Sequence, residues 1–432
     1  MPTKRVILAE YFTVEDRTLL FIVRHDFEKP EVIEIPVGTE AIQQFVIEHF
    51  QEERDATGNV KKSTGDQVRN LDESAYQSFF SPFVAPLVSK SSKGKIMTEE
   101  GDIIWLVPHN FLHYLPLHAL QVEGRYLIER NPVCYTPSAS VMKYCHAKHN
   151  PKPKREKALI LADSCLDRLH TQEQGMAIKE LFQPDAELYI GNEATKILLV
   201  QKLQQSKADI DILHIACHGK FNRLEALKSG IQLAWEENLT AEEIFGLELN
   251  LDLVTLSACE SGINANKPGD ELIGLTRALI YAGTPSVVVS LWEVDQISTS
   301  ILMSKFYQKL KDRANKVEAL QQAQIELRKM TAQDVIDYCV AAKKRLNNPI
   351  ALRLLDLDIA FMRYQATDIE GAVNDCNRLL QEAEQPSKEY KDILGKRDKY
   401  KFACNPPPMD YQRLVYSDLY HWSPFILVGD WR

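Results

Sequence analysis

Short apolar runs and polar turns alternate through the first third of the chain. β-Branched and aromatic residues dominate the first three runs, which predicts an antiparallel meander over residues 4–11, 17–24 and 31–35. Helical spacing of apolar residues follows at 38–53 and at 72–90. The polar, glycine-containing segment 54–67 between these two helices is predicted to be an exposed loop.

The pattern changes after the basic, proline-containing segment 146–157, which is predicted to be a solvated linker. Beyond it, strands and helices alternate strictly as far as residue 292. The three longest strands are nearly continuous apolar runs, DIDILHIAC, LDLVTLSAC and PSVVVSLW. Strands buried on both faces require such runs, and alternating strand and helix units predict a parallel sheet.

Helical spacing continues through residues 295–395. Within it, 350–383 resembles one helical hairpin of the tetratricopeptide type, and the sequence shows no second copy at that period. A lone hairpin of this kind is more often packing than a docking groove. The closing run WSPFILVGDW is strand-like and is predicted to pair with the sheet.

Composition excludes several classes of protein. With 432 residues the chain can form two to three domains around a large core, which excludes a small disulfide scaffold. Lys and Arg number 51 against 60 Asp and Glu, and the resulting formal charge of −9 argues against a general nucleic-acid binder. The sequence has neither a secretory leader pattern nor a long apolar stretch, so a cytoplasmic protein without membrane contact is expected.

Metal and cofactor chemistry has little support in the sequence. Eight cysteines are scattered without Cys-x-x-Cys pairs, so neither a zinc ribbon nor a disulfide framework is predicted. His109, His113 and His118 have a spacing that suits a metal site on a helix, but Pro108 and Pro116 interrupt any such helix. The sequence also lacks the glycine-rich nucleotide motifs and the serine hydrolase motif, and we expect no cofactor.

Two of the apolar strands end in reactive side chains. One finishes with His218 and Gly219, and the other finishes with Cys259, 41 residues later. Because sites in open parallel sheets lie at the carboxyl ends of strands, both side chains would project into one crevice if the strands are neighbours. His214 and Cys217, which precede His218 on the same strand, are predicted to belong to the core.

A cysteine and a histidine are sufficient for nucleophilic cleavage of a peptide bond. The imidazole of His218 would take the thiol proton of Cys259 and later hand it to the leaving amine. The backbone N–H groups of Gly219 and Cys259 would stabilise the developing oxyanion. A lone cysteine or histidine at a strand end is more often structural than catalytic, so the pair alone leaves both interpretations open.

A series of ordered motifs resembles a CHAT domain, the caspase-like peptidase family related to separase: ILHIACHG, LTAEEIF, LDLVTLSACESG, GDELIGLTRALIYAGTPSVVVSLWEVD and HWSPFILVGDW. The resemblance implies an α/β fold in which helices sandwich a mostly parallel, caspase-like sheet. It further implies an N-terminal pseudo-caspase-like α/β subdomain at 1–150, a catalytic core at 151–330 and a strand within 412–432 that completes the core. The helical insertion 331–411 departs from the family pattern.

The resemblance also implies a function. It indicates a cysteine endopeptidase that cleaves a specific protein substrate, with His218 as base and Cys259 as nucleophile. Such a peptidase would be activated by a regulatory protein partner, for example a defence complex, in bacterial defence or signalling. One alternative is a non-proteolytic interaction or scaffold module, and another is a nucleic-acid-associated scaffold that uses the basic segment 146–157.

A substrate pocket is the last expectation that the resemblance gives. The segment after SVVVSLW is similar to the separase stretch in which an acidic residue selects arginine, and Asp295 is the residue that matches it. Asp270 and Glu271 are alternates, and Trp292 would form an apolar wall. The sequence leaves open the simpler role for Asp295 of capping a helix that begins near Ile297.

Overall fold

An eleven-stranded sheet runs through the computed structural model of this chain. The structure describes residues 6–54, 60–90, 94–148, 155–205, 210–220, 222, 225–257, 265–267, 271–312, 314–403 and 406–432. The strands are β1 (Val6–Thr13), β2 (Thr18–Val23), β3 (Glu31–Ile35), β4 (Glu53–Arg54), β5 (Val60–Lys62), β6 (Ile103–Val107), β7 (Gln121–Val122), β8 (Arg125–Tyr126), β9 (Val133–Tyr135), β10 (Ala158–Ala162), β11 (Ala186–Ile190), β12 (Ile212–Ala216), β13 (His218–Lys220), β14 (Gly230–Gln232), β15 (Asn238–Thr240), β16 (Leu253–Leu256), β17 (Ala265–Lys267), β18 (Glu271–Ile273), β19 (Ser286–Ser290) and β20 (Phe425–Gly429).

Helices cover the sheet and form most of the chain after residue 295. They are α1 (Thr39–His49), α2 (Thr64–Arg69), α3 (Glu73–Val88), α4 (Leu127–Arg130), α5 (Ala139–Lys148), α6 (Leu169–Phe182), α7 (Lys196–Gln205), α8 (Ala241–Phe245), α9 (Leu275–Ala282), α10 (Gln296–Lys311), α11 (Lys316–Arg328), α12 (Ala332–Ala342), α13 (Pro349–Gln365), α14 (Ile369–Glu382), α15 (Lys388–Lys401) and α16 (Leu419–Trp422). None of the helices in the described part of the chain combines the length and the apolar character that a membrane span requires.

The strand order of the large sheet is β11-β10-β12-β16-β19-β20-β9-β6-β1-β2-β3. The neighbours pair in parallel except β19 with β20, β1 with β2 and β2 with β3. Every residue of β10, β12, β16 and β19 is buried, as continuous apolar runs between two helical layers require. The predicted fold class, a mostly parallel sheet flanked by helices, is therefore confirmed, and so is the antiparallel meander of β1 to β3.

The strand β20 joins the two halves of the sheet. It pairs antiparallel with β19 along five residues, from Phe425 opposite Ser290 to Gly429 opposite Ser286. On its other side Val428 pairs with Tyr135 of β9. The predicted pairing of the closing run is thus confirmed. Because one sheet runs across residue 150, the domain boundaries given above stay a prediction.

The segment 54–67 was predicted to be a loop, and this prediction is wrong for much of it. Residues Val60–Lys62 form a strand, and Thr64–Arg69 form a helix with Thr64 and Val68 buried. The helix begins at a capping box, in which the Ser63 hydroxyl accepts a hydrogen bond from the N–H of Asp66 while the Asp66 carboxylate accepts one from the N–H of Ser63.

The helices after residue 331 divide between two apolar clusters. The helix α12 and one face of α13 belong to the main core, to which α13 contributes Ala351, Leu355, Ile359 and Met362. The other face of α13 packs on α14 and α15 in a smaller cluster formed by Leu357, Ala360, Ala372, Cys376, Leu379, Ala383, Ile393 and Tyr400. The predicted helical hairpin is confirmed as the pair α13 and α14, and its apolar stripe is buried within the chain.

Candidate active site

His218 lies where the sequence places it, at the carboxyl end of a central strand. The strand β12 ends at Ala216 between β10 and β16, and His218 opens the short strand β13. In the hairpin that follows, His218 pairs with Gln232 and Gly219 pairs with Ile231. The imidazole is 28% exposed, so solvent and a ligand can reach it.

Cys259 lies outside the described residues, and its role as nucleophile stays a prediction. The strand that leads to it is described: β16 pairs in parallel with β12, with Leu253 opposite Ile212 and Leu256 opposite Ile215. After β16 the N–H of Ser257 donates to the carbonyl oxygen of Ile215 at 2.8 Å. The two predicted strands are therefore neighbours that end at the same edge of the sheet.

Asp167 is the closest acidic partner of the candidate base. Its two carboxylate oxygens lie 2.8 and 3.0 Å from Nε2 of His218. A carboxylate accepts in this contact, so in the neutral form of the ring Nε2 carries the proton and Nδ1 is the acceptor. The contact thus fixes both the tautomer and the direction of the ring, as the third member of a catalytic triad does.

Arg168 covers the same imidazole. Its Nε lies 3.1 Å from Nδ1 and 3.2 Å from Nε2 of His218. One N–H group cannot point along the ring plane at both nitrogens, so the guanidinium lies over the ring face. His218 is therefore restrained from two directions by residues of one turn.

The turn that carries these residues, 163–168, follows β10 and has an unusual backbone. Asp163 and Leu166 have φ angles of 45° and 59°, in the left-handed region that few side chains adopt. Oδ1 of Asp163 accepts the N–H groups of Asp167 and Arg168 at 2.9 and 2.8 Å, and its Oδ2 accepts from Gln172 at 2.7 Å. Burial raises the pKa of Asp163. These bonds hold the turn in its strained form.

Two further bonds tie the 163–168 turn to the strands beside it. The N–H of Asp163 donates to the carbonyl oxygen of Ala216, at the end of β12. The hydroxyl of Ser164 donates to the carbonyl oxygen of Gln232 at 2.7 Å, and Gln232 is the residue opposite His218. The turn and the histidine therefore belong to one rigid unit.

Cys165 completes the surroundings of His218. It is half-buried, and its Sγ, a carboxylate oxygen of Asp167 and a ring nitrogen of His218 lie within 4.8 Å of one another. The sequence analysis missed Cys165, Asp167 and Arg168. A signal was available, since DSCLDR directly follows the buried strand ALILA at the same sheet edge, where sites form.

The two residues predicted to be core are confirmed in that role. His214 is fully buried, with Nδ1 3.0 Å from the hydroxyl oxygen of Tyr307, and burial lowers its pKa to about 3. Cys217 is buried as well, and burial raises its pKa to about 11. Neither has the properties of a base or a nucleophile at neutral pH.

Two of the three N-terminal histidines, His109 and His118, contact different hydroxyl groups. Nδ1 of His109 lies 2.8 Å from the hydroxyl of Thr13. His118 is fully buried with Nδ1 2.9 Å from the hydroxyl of Tyr135, and burial lowers the pKa of His118 to about 3. Each of the two histidines therefore has a hydrogen-bonding partner of its own.

Asp295 and Trp292 are the two predicted pocket residues whose side chains the structure describes. Asp295 caps α10, with Oδ1 accepting the N–H of Ser298 at 2.9 Å, so the capping role that the sequence left open is confirmed. Trp292 is fully buried, and its indole N–H donates to the carbonyl oxygen of Tyr420. A ring without exposed surface cannot form a pocket wall in this conformation. Asp270 and the side chain of Glu271 lie outside the described part of the chain.

Comparisons with known proteins place these observations in a wider context. Residues 71–430 match the family model described as the CHAT domain. Two curated proteins, tetratricopeptide repeat protein 28 of Mus musculus and of Homo sapiens, are each 36% identical to this chain over 72 residues, which is 17% of this chain and 3% of each relative. This chain therefore spans only a small part of those relatives.

Two solved structures show partial similarity. The separase–securin complex of Saccharomyces cerevisiae gives a TM-score of 0.45 at 13% identity, over 74% of this chain and 29% of that chain. The Arg-specific cysteine proteinase gingipain R gives a TM-score of 0.40 at 10% identity, over 60% of this chain and 65% of that chain.

Proposed function

This chain belongs to the CHAT domain family, and we propose that it is a cysteine endopeptidase in which Cys259 is the nucleophile and His218 is the base. The observation that supports the proposal best is the contact between Nε2 of His218 and the carboxylate of Asp167. This contact leaves Nδ1 as the basic atom of a ring that stands at the carboxyl edge of the sheet.

The proposed reaction follows from this arrangement. Nδ1 of His218 takes the thiol proton of Cys259, and the thiolate attacks the substrate carbonyl carbon. The backbone N–H groups of Gly219 and Cys259 stabilise the oxyanion. His218 then protonates the leaving amine, and water hydrolyses the thioester with His218 again as base. Asp167 acts as a positioning residue, because it holds the ring without contacting the substrate.

Substitution of the dyad is the direct test. Cleavage of an unfolded protein substrate is expected to disappear in both Cys259→Ala and His218→Ala, and the double variant should be no worse than either single one. The matched control is Cys217→Ala, which removes a buried thiol two residues upstream of Gly219 and is expected to keep activity. Cleavage that survives in Cys259→Ala would refute the assignment.

The positioning role of Asp167 has its own test. Asp167→Asn keeps the size of the side chain but removes its charge, and we expect kcat to fall by about 10²- to 10⁴-fold with little change in KM, as for the aspartate that orients the histidine of a catalytic triad. Partial recovery in Asp167→Glu would support the role. Glu225→Gln is the matched control, since Glu225 and Asp167 have equally exposed side chains, at 57%. An Asp167→Asn variant with unchanged kcat would exclude the positioning role of Asp167.

Substrate preference for arginine before the scissile bond is a further part of the proposal. The acidic residues that support it are Asp270, Glu271 and Asp295, of which Asp295 also caps a helix. A carboxylate in a partly desolvated pocket binds a guanidinium bidentately. A peptide library that varies this one residue tests the idea. A preference for apolar residues would refute it, and an unchanged arginine preference in Asp295→Ala would exclude Asp295.

Regulation through the helices after residue 331 is also proposed. The helix α6 begins directly after Arg168, and α12 and the turn after it hold α6: the hydroxyl of Tyr338 donates to Glu173 at 2.7 Å, and Arg345 pairs with the same carboxylate at 3.0 Å. A protein partner that moves these helices would move the 163–168 turn. Tyr338→Phe is expected to change partner-dependent cleavage more than basal cleavage.

The cellular setting remains a proposal, namely a cytoplasmic peptidase that a partner activates in bacterial defence or signalling. The rival interpretation is an interaction module without peptidase activity. Copurification from the native host distinguishes the two. A substrate that accumulates only with Cys259→Ala supports the peptidase, whereas an identical set of partners and fragments with both forms supports the module.

A further inference from the structure

The 163–168 turn and His218 bring together three side chains of the kind that bind zinc. Cys165 Sγ, a carboxylate oxygen of Asp167 and a ring nitrogen of His218 lie within 4.8 Å of one another. They offer three different donor atoms from two adjoining segments of chain. We propose that these residues form a zinc site and that bound zinc keeps the peptidase inactive.

The donor set indicates which metal the site takes. A thiolate, an imidazole and a carboxylate are all ligands of Zn²⁺, with bond lengths of about 2.0 to 2.3 Å. Mg²⁺ and Ca²⁺ prefer sites built from oxygen atoms, so sulfur and nitrogen donors disfavour them. Three protein ligands leave the fourth tetrahedral position to a water molecule.

The donors have to move little to bind the ion. Bonds of that length place the ligand atoms of a tetrahedral zinc about 3 to 4 Å apart. Oδ1 of Asp167 already lies 2.8 Å from Nε2 of His218. Zinc would therefore enter between two atoms that share a proton in the metal-free protein, while Cys165 approaches from a distance below 4.8 Å.

The 163–168 turn is organised before any ion binds. Its backbone is fixed by the bonds that Asp163 accepts from Asp167 and Arg168. Leu166, between two of the proposed ligands, packs against Gly191, where an added Cβ would lie 2.5 Å from a methyl carbon of Leu166. A ligand set that is already in place costs little ordering entropy on binding.

The charges of the site balance. Two of the proposed ligands, the thiolate of Cys165 and the carboxylate of Asp167, carry two negative charges, and these offset the two positive charges of the ion. The guanidinium of Arg168, 3.1 Å from the imidazole, therefore faces a neutral complex and not a bare dication. Its presence does not exclude the metal.

The movement of the His218 ring proton explains why bound zinc would inhibit the peptidase. When zinc binds Nε2 of His218, the ring proton moves from Nε2 to Nδ1, and the ring stays neutral. The thiol of Cys165 exchanges its S–H bond for an S–Zn bond and releases one proton to solvent, so no oxidant or reductant is needed. Nδ1 then carries a proton and cannot accept one from Cys259. The inhibitory part rests on the proposed function, whereas the binding part does not.

Cobalt(II) titration of the full chain carrying Cys259→Ala tests binding, because the substitution removes the proposed nucleophilic thiol as a competing cobalt ligand. One equivalent is expected to bind with a thiolate-to-cobalt charge-transfer band, and zinc should displace it. Adding Cys165→Ser should abolish the band, and Asp167→Asn should weaken affinity by at least about 10-fold. Glu225 has a carboxylate of matched exposure, and Glu225→Gln should change neither the charge-transfer band nor the cobalt affinity.

A parent that lacks the band, or a band that persists in Cys165→Ser, would overturn the site. Circular dichroism of each variant separates loss of binding from loss of folding. If Cys165→Ser fails to fold, the weakened affinity of Asp167→Asn still decides the question.

Inhibition is tested separately on chelator-treated chain with Cys259 intact. One equivalent of Zn²⁺ is expected to suppress cleavage. Each inhibition curve is normalised to the metal-free activity of the same protein, and the zinc concentration for half-inhibition should be at least about 10-fold higher for Cys165→Ser than for the parent chain. Equal zinc sensitivity in Cys165→Ser would overturn the inhibitory role. A chain that shows the cobalt band through Cys165 but cleaves no substrate would contradict the peptidase proposal and support the metal site.

Discussion

The central sheet and the two helices α14 and α15 are stabilised by apolar cores of different size. Strands β10, β12, β16 and β19 are buried along their whole length and lie in a core that extends from β1 to β20. The helices α14 and α15 share a separate cluster of eight buried residues with one face of α13. Loss of packing in the sheet should therefore affect the whole protein, whereas loss of packing in the small cluster should stay local.

The helix α13 is the link between these regions. One of its faces contributes Leu355, Ile359 and Met362 to the main core, and the other contributes Leu357 and Ala360 to the small cluster. A helix that is apolar on two sides can stay docked while its outer partners open. The comparison therefore separates a part of the segment 331–411 that belongs to the core from a part that is attached to it.

The largest effect is expected from a charge in β20. Leu427 is fully buried in the strand that joins both halves of the sheet. Leu427→Asp places an unpaired carboxylate there, which should cost more than about 4 kcal/mol and leave little folded protein. Urea unfolding followed by circular dichroism measures it. Ile197→Asp, at a position that is 64% exposed, is the control. A normal urea midpoint for Leu427→Asp would show that β20 is dispensable.

Next in size are two leucine truncations of matched burial. Leu256 of β16 and Leu379 of α14 are both fully buried, and each change to alanine should cost about 2 to 5 kcal/mol of packing energy. Hydrogen exchange should rise throughout the sheet in Leu256→Ala but only across 369–401 in Leu379→Ala. If hydrogen exchange rises over the same residues in both variants, the sheet and the small cluster unfold as one unit.

A smaller effect concerns the contact between α13 and α6. Nε2 of His170 lies 3.4 Å from the carboxylate of Asp358, whose side chain is 17% exposed, and burial raises the pKa of Asp358 to about 6. A raised carboxyl pKa stabilises the folded state below the unfolded value near 4, and this contribution is lost as pH rises through about 6.

The variant Asp358→Asn should remove this dependence. Relative to the variant, the parent chain is expected to lose up to about 3 kcal/mol of unfolding free energy between pH 4 and pH 7. Urea unfolding of both proteins at the two pH values measures the difference. Parallel pH profiles would show that Asp358 does not titrate in this range.

The smallest effect is expected at the cap of α10. Asp295→Ala removes the side chain that accepts the N–H of Ser298 and should cost about 1 kcal/mol. Asp295→Asn, which can still accept the bond, is the control and should cost less. A thermal melt of both variants checks the order.

Strands could be predicted from the sequence because their apolar runs are long and nearly unbroken. The same rule placed His218 correctly, since a residue that directly follows a buried strand must lie at the sheet edge. The position of β20 between β19 and β9 could not be read in this way. It depends on tertiary pairing between residues such as Val428 and Tyr135, which are far apart in the sequence.

The surroundings of His218 were missed for a local reason. Cys165 and Asp167 lie in a polar turn whose course is set by two left-handed residues, Asp163 and Leu166, and such φ angles leave no periodic pattern. The helix α2 is a different case. Its capping box at Ser63 and Asp66 was visible in the sequence, but the surrounding polar residues favoured a loop.

The position of β20 in the sheet has a consequence for the order of events during synthesis. The ribosome makes β19 before the helices α10 to α15, and β20 only after them. Until β20 emerges, the strands on either side of its place have no common neighbour to pair with. The nascent chain therefore carries His218 for more than a hundred residues of translation on an unfinished sheet, and the complete sheet can form only after the helical segment has been made.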